Sequence, residues 1–378
     1  MKDLKKLLGL LFIFCLVLTA CQNNNTTEKS AEPATVETTE TKESETVEST
    51  EAKEITLTDN IGREVTLPYP VKTAVVANRY NSELIRACGA IDKVIAVDMN
   101  TAQDREYWAI FDPDNTIGKG GKELNYEKII ELNPQVVVLP SNGAVEEAEQ
   151  TLEPFGIKVF VISGYDTSDF KNQISNIGKM FGTEEQAEKF YNYFNDKLEY
   201  INTQLANAEK KTLYLEQVKD YQTTIPGDYF YDMQSLAGAN NIFSEDYENI
   251  NQNEIDPEVV IERNPEYIVK FLTADAAMAG TGLYEPPSKE QFQEKYNEII
   301  TRPGWESIDA VKNDNIFFMT QFSHGGASKL VGTMHIAKWM YPDLLPDLDP
   351  DEVWRAWMVD FQGFKDIPGH FYSSDELK

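Results

Sequence analysis

The chain is poor in cysteine, histidine and positive charge, and each shortage removes a class of protein. Its three cysteines are Cys15, Cys21 and Cys88, and its three histidines are His324, His335 and His370. They form neither an HExxH run nor a zinc-spaced cluster, so no protein-built metal site and no resident cofactor is expected. Lysine and arginine total 34 against 63 acids, a formal charge of -29. Such a balance argues against nucleic acid or anionic headgroups as partners, because phosphate binding needs a basic face. Catalytic signatures are missing too. Gly118-Lys-Gly-Gly-Lys-Glu lacks the GxxxxGK[ST] spacing of a phosphate loop and no strand feeds it, and there is no GxSxG elbow. An enzyme is therefore not expected. A carboxylate-pair hydrolase at the cell surface is the remote alternative, and an adhesin or scaffold is a third class.

What is present begins at the N-terminus. Lys2, Lys5 and Lys6 precede an apolar run over 7–18, followed by Leu18-Thr-Ala-Cys21. A basic start, a short apolar stretch and small residues before a cut site are the grammar of an export signal. The run is shorter than the roughly 20 residues that span a bilayer. The last four residues resemble the bacterial lipobox, in which cleavage leaves Cys21 lipidated. Residues 1–20 are thus expected to be a lipoprotein signal, and the mature chain to be extracytoplasmic and held at the cell membrane by lipid. Residues 21–54, rich in Thr, Glu, Ser and Asn without an aromatic, cannot bury enough apolar surface to order themselves. They read as an acidic tether of roughly 30 Å reach, long enough for a monomeric body to meet a membrane partner. Cys88 is left alone beside Leu84 and Ile85 as helix core, with no disulfide partner.

The folded body starts near Ile55 with alternating residues around Asp59-Asn60-Ile61-Gly62, a β-hairpin pattern. Short β-branched runs then alternate with helical stretches. Strands are expected over 73–77, 94–97, 136–139 and 158–162, and helices over 82–89 and 126–132, which is the pattern of parallel βαβ units. Between 183 and 210, Ala187, Phe190, Phe194, Leu198, Ile201 and Leu205 recur at helical spacing and predict one long amphipathic helix. Strands return at 212–216, 267–270 and 316–319. Ile129-Ile-Glu-Leu-Asn-Pro-Gln-Val-Val-Val is echoed by Val260-Ile-Glu-Arg-Asn-Pro-Glu-Tyr-Ile-Val. The expectation is an α/β fold of two Rossmann-like lobes, 55–182 and 211–378, bridged by the 183–210 helix with a ligand cleft between them.

These features, with Leu57-Thr-Asp-Asn-Ile-Gly-Arg-Glu-Val-Thr-Leu-Pro, Ser235-Leu-Ala-Gly-Ala-Asn-Asn-Ile-Phe, Arg302-Pro-Gly-Trp and Ala337-Lys-Trp-Met-Tyr-Pro, resemble the substrate-binding proteins of ABC importers for iron-siderophores, haem and cobalamin. The resemblance runs from about Ile55 to Tyr372. It implies limited closure on ligand and delivery to a membrane permease, without fixing the ligand. It also implies an acid on the outer face of each lobe that docks on permease arginines. Asn81-Ser-Glu-Leu-Ile-Arg-Ala-Cys-Gly89 gives Glu83, and Asp232 stands where relatives have glutamate.

Loops leaving the strands should line the cleft. In the first lobe these carry Asn78, Arg79 and Tyr80, then Asn100 and Trp108, then Ser141 and Asn142. In the second they carry Tyr221 and Tyr229, then Phe271 and Thr273, then Phe322, Ser323 and His324, with Lys329 following. Arg79, His324 and Lys329 are expected to meet an anionic complex, and Tyr80, Trp108, Tyr229 and Phe322 to stack on a planar chelator. Relatives often carry Gly-Pro-Arg where this chain has Ser323-His-Gly-Gly-Ala-Ser-Lys329. That loop suits a carboxylate-rich siderophore, haem ligated by His324 and Tyr80, or an oxyanion held by backbone N–H groups. The favoured ligand is a ferric siderophore-type chelate, ahead of haem, cobalamin and molybdate or tungstate.

Overall fold

The computed structural model describes residues 53–228, 230–274, 284–323 and 325–378. The signal, Cys21 and most of the tether lie outside them, as do Tyr229 and His324. The body opens with the hairpin β1 (Glu54–Thr58) and β2 (Glu64–Pro68), in register Leu57 opposite Val65. Its turn is fixed by Asp59, whose buried carboxylate accepts the N–H groups of Ile61 and Arg63 and the Arg63 guanidinium, while Gly62 takes φ 83°. This is the turn chemistry that Asp and Gly supply.

The first lobe is built on a parallel sheet in the order β4 (Val94–Val97), β3 (Ala74–Val76), β7 (Val136–Leu139), β8 (Lys158–Val161). A small hairpin, β5 (Gly118–Gly120) with β6 (Glu123–Leu124), sits between β4 and β7 in sequence. The second lobe orders its sheet β10 (Ala239–Asn241), β9 (Lys211–Glu216), β11 (Tyr267–Leu272), β12 (Ile316–Thr320), β13 (Phe371–Ser373). The first four run parallel. β13 is antiparallel, with Phe318 opposite Tyr372, so the all-parallel expectation fails at that edge.

The central strands of both sheets are buried on both faces, which explains apolar runs such as Val136–Leu139 and Ile316–Met319. In β7, Val136 and Val138 join the large core while Val137 and Leu139 point into a separate cluster on the far face; in β12, Phe317 and Met319 divide from Ile316 and Phe318 in the same way. The large core is continuous through both lobes and the helix between them. That helix, Glu184–Leu205, is about 33 Å long at the usual rise and buries Ala187, Phe190, Phe194 and Ile201. It ends five residues short of the expected 210. Phe190 and Phe194 meet Trp357 and Phe361 from the far end of the chain, with Phe190 and Phe361 centroids 5.0 Å apart.

The repeated Asn-Pro phrases adopt one geometry. Asn133 and Asn264 each terminate a helix in the left-handed conformation, at φ 47° and 44°, and each leads through proline into a central strand. Asparagine tolerates that conformation better than most residues, and proline then forbids helix continuation. One segment of 211–378 departs from the second lobe. Gln362 donates to the Glu83 carbonyl at 3.1 Å and accepts from the Tyr107 hydroxyl at 3.1 Å, and its own carbonyl accepts from Arg86 at 3.3 Å. The chain thus leaves the second lobe, fastens the first, and returns as β13.

Candidate functional site

At the carboxyl end of β3, Asn78 adopts φ 85° and caps the helix Arg79–Ala87 by accepting the Tyr80 N–H at 2.9 Å. A positive φ at a non-glycine residue stores strain and must be held by its surroundings. The holder is Asp98, buried after β4, which accepts the Asn78 N–H at 2.6 Å and both the N–H and hydroxyl of Thr101. Burial lifts the Asp98 carboxyl above its ordinary pKa, and these donors oppose the lift. The result is that Arg79 and Tyr80 project at the strand ends. The loop after β8 crosses this helix start: Gly164 donates to buried Asn81 at 2.8 Å, and a Cβ on Gly164 would lie 2.7 Å from the Tyr80 carbonyl.

The second lobe meets that surface directly. Tyr80 packs under the Gly325-Gly326 loop so closely that a Cβ on either glycine would come within 2.3 to 2.6 Å of its ring or hydroxyl. Arg79 lies 5.1 Å from the Phe322 ring and 5.4 Å from its own neighbour Tyr80. Tyr107 stands edge-on to Phe322 at 5.5 Å. Lys329, fully buried, pairs with Asp232 at 2.8 Å and donates to the Tyr165 carbonyl of the first lobe at 3.1 Å. Asp232 in turn accepts the Thr167 hydroxyl, again across the lobes, at 2.6 Å. Burial lowers the Lys329 pKa, and Asp232 counters that.

Of the residues expected in the cleft, Arg79, Tyr80, Phe322 and Lys329 are therefore brought together, with Asn78 behind them. Asn100, in the short helix Met99–Ala102, and Ser141 and Asn142, in the loop after β7, are exposed, and Ser141 shares a 2.7 Å hydrogen bond with the Tyr165 hydroxyl. Thr273 is half-buried just past β11. Four expectations are corrected. Trp108 is no stacking platform: it is 1% exposed in the core, covered by the Arg86 guanidinium at 3.6 Å. Phe271 is a fully buried strand residue. Tyr221 belongs to the second lobe's outer cluster, packed on Arg302 at 4.6 Å and on Trp305 at 6.1 Å. Phe322, 2% exposed, acts as a packing surface between lobes.

The first of the two docking acids is corrected as well. Glu83 has no exposed surface and sits 3.3 Å from Arg79, so it cannot present a carboxylate outward. Its pKa is raised by burial, against the pull of Arg79 and Arg86. Asp232 pairs with Lys329 and Thr167 while keeping its side chain 32% exposed. Tyr165, Thr167 and Tyr107 were not anticipated. The signal for the first two was available, since Gly164-Tyr165-Asp-Thr167 leaves a strand end as the other cleft loops do. No group of three or more metal-ligating side chains occurs among the described residues.

A second charge cluster supports the loop after β9. Glu216, buried, pairs with Lys270 at 2.8 Å and Arg302 at 2.9 Å, Lys270 reaches Asp220 at 2.7 Å, and the Tyr221 N–H donates to Glu216 at 3.0 Å. Lys270 is fully buried. The strong cationic surroundings hold the Asp220 and Glu216 carboxyls below their ordinary range despite burial.

Residues 75–321 match the family model described as periplasmic binding protein. The chain is 24% identical over 299 residues to an uncharacterized ABC transporter substrate-binding lipoprotein, YvrC of Bacillus subtilis, spanning 76% of this chain and 86% of that one. It is 21% identical over 329 residues to the molybdate-binding protein MolA of Haemophilus influenzae, covering 79% and 88% respectively. Its fold superposes on the TroA-like periplasmic binding protein FepB from Veillonella parvula with a TM-score of 0.68 at 20% identity, covering 84% of this chain and 99% of that structure. With two lobes, a bridging helix and a match over most of the body, the chain belongs to the periplasmic binding protein family, as a non-catalytic, extracytoplasmic solute-binding protein that serves the permease of an ABC importer.

Proposed function

We propose that this protein is a lipid-anchored, monomeric solute-binding protein that captures a ferric-siderophore-type complex and delivers it to its permease. The observation that carries the proposal is the convergence of Tyr80 and Arg79 from one lobe with Phe322 and Lys329 from the other at the strand ends. Ligands of open α/β sheets bind at such ends. The Tyr80 ring beside hydrogen-bonding groups suits a large chelate with an apolar periphery and polar donor atoms. A relative named iron(3+)-hydroxamate-binding protein FhuD supports this class.

Intrinsic fluorescence of the purified protein, titrated with ferric chelates, provides the test. Saturable quenching is expected at micromolar concentrations or below. Failure of every ferric chelate to bind, with the protein folded, would sink the proposal. Other relatives are named for vitamin B12 and for molybdate, so a corrinoid and molybdate belong in the same titration. Corrinoid binding in place of ferric chelates would move the assignment there. The anchor is tested separately, because Cys21→Ser should release the protein from the membrane or leave its precursor uncut.

A further inference from the structure

Apart from the interlobe residues, a buried imidazole in the second lobe faces acids at the surface. His335 lies in the helix Ser328–Met340, about 9 Å along it from Lys329. Its ring stacks on Phe371 of β13 with centroids 3.5 Å apart, and Trp339 lies 5.4 Å away. The residue is 4% exposed, and its Nε2 is buried without a hydrogen-bond partner. A polar nitrogen so placed costs stability unless something answers it. Facing it is Asp351, whose Oδ1 is 3.9 Å from Nε2 on a side chain that is 90% exposed. Both residues line a cavity of about 420 Å³, together with Lys338, Trp339, Asp349 and Glu376.

The acids around this cavity act on one another. The Asp351 carboxyl is raised above its ordinary pKa by burial and then by the fields of Asp349, Glu376 and Asp366. Asp349 caps the helix Pro350–Arg355 by accepting the N–H groups of Asp351 and Glu352, each at 3.1 Å, and so sets where Asp351 stands. Cations of the neighbouring elements are engaged elsewhere. Lys338 donates to the carbonyls of Leu345 at 2.7 Å and Pro346 at 3.3 Å, Arg355 lies 3.7 Å from Asp360, and Lys378 pairs with Asp314 and Asp375.

Burial keeps the imidazole neutral, so with its proton on Nδ1 the Nε2 lone pair points toward negative charge. A cation between the two is attracted to both. The donor pair also limits which cation fits: imidazole nitrogen with carboxylate oxygen suits zinc and its first-row neighbours, whereas calcium and magnesium take oxygen. Two donors on a tetrahedral ion, each about 2.1 Å from it, stand about 3.4 Å apart. The exposed Asp351 can close that difference by turning toward His335.

We propose that His335 Nε2 and the Asp351 carboxylate form a second site, for a divalent transition cation of the zinc class, with water completing its shell. An ion held there ties the helix Pro350–Arg355 to the helix Ser328–Met340, whose His335 packs on β13.

The test is calorimetric titration of the purified, chelator-treated full-length chain, carrying no histidine tag, with zinc ion alone. One saturable equivalent is expected, with a Kd on the order of 10 μM. Asp351→Asn should weaken it at least about tenfold, and His335→Phe, which keeps a ring against Phe371, should abolish it. Saturating zinc should raise the melting temperature of the parent chain by about 5 °C and leave that of Asp351→Asn almost unmoved. If His335→Phe does not melt cooperatively, the surface change Asp351→Asn carries the test alone. Lack of saturable zinc binding would overturn the proposal, since His335 would then at most donate to Asp351. Binding that both variants leave unchanged would overturn it too, by placing the ion elsewhere. So would displacement of zinc by millimolar magnesium or calcium, which would mark an acidic surface without the imidazole.

Discussion

The two lobes handle buried charge in opposite ways. In the first, Asp98 and Glu83 are buried carboxylates whose pKa values rise because burial outweighs their partners. In the second, Glu216 and Asp220 sit among Lys270, Arg302 and Lys295 and are pulled down, while His335 and His370 are buried neutral. In one lobe Asp98 accepts from strained backbone and Glu83 pairs with a neighbouring arginine. The other uses a closed ionic network and two imidazoles. Acid should therefore separate them.

The largest effect is expected there. Burial pushes His335 and His370 down to about 3 from the ordinary 6.5. His370 accepts from Thr320 at Nδ1 and donates from Nε2 to the Tyr284 carbonyl, which fixes the neutral tautomer. A depressed folded pKa means that stability is full above about 6.5 and is lost as pH falls toward about 3, on the order of 3 kcal/mol per histidine at about pH 4. Glu216 and Asp220, also depressed, add loss as pH falls below their unfolded values. Asp98 and Glu83 have the reverse sign, gaining stability as pH falls through their raised folded values. Hydrogen exchange at pH 4 against pH 7 should show β11 and β12 losing protection before β3 and β7. Uniform loss across both sheets would break the comparison, and His335→Leu should flatten the acid limb.

Next comes the ionic network. Lys270→Met removes the buried partner shared by Glu216 and Asp220 and should cost about 3 to 5 kcal/mol in urea unfolding at neutral pH. A loss below about 1 kcal/mol would mean that Arg302 alone suffices. Asp98→Ala leaves the Asn78 N–H and the Thr101 hydroxyl without their acceptor, and should cost about 2 to 3 kcal/mol. It should also loosen Arg79 and Tyr80, raising the Kd of whatever the cleft binds. The smallest change is expected at Glu83→Gln. Because burial already opposes its charge, neutralising it should alter stability by less than about 1 kcal/mol. A loss comparable to Lys270→Met would place Glu83 with the second lobe's charges.

Much of the frame was legible because it rests on local patterns. The 3.6-residue spacing from Ala187 to Ile201 gave the bridging helix, Asp59 and Gly62 gave the hairpin turn, and the Asn-Pro phrases gave matching helix ends. The helix Ser328–Met340 was harder to read, since it is buried on nearly every side and has no polar stripe to mark its period. Lys329 lies inside that helix, where a lone lysine gives no hint of burial. Glu83 misled for a related reason. Leu84, Ile85 and Cys88 mark one apolar side, yet Asn81, Ser82 and Glu83 are buried too, with the loop at Gly164 and distant Gln362 packed over the same helix. Contacts separated by hundreds of residues leave no periodic trace.

The return of the chain from Gln362 to β13 has a consequence for the order of assembly. Synthesis proceeds from the N-terminus, so the helix Arg79–Ala87 is made early, yet Arg86, Tyr107 and the Glu83 carbonyl wait for Gln362, near the end of the chain. The first lobe cannot finish its packing until almost the whole polypeptide has emerged. A protein that works on the far side of a membrane gains from that delay, because an incompletely packed chain can still be threaded through a narrow pore and close its last contacts only after arrival.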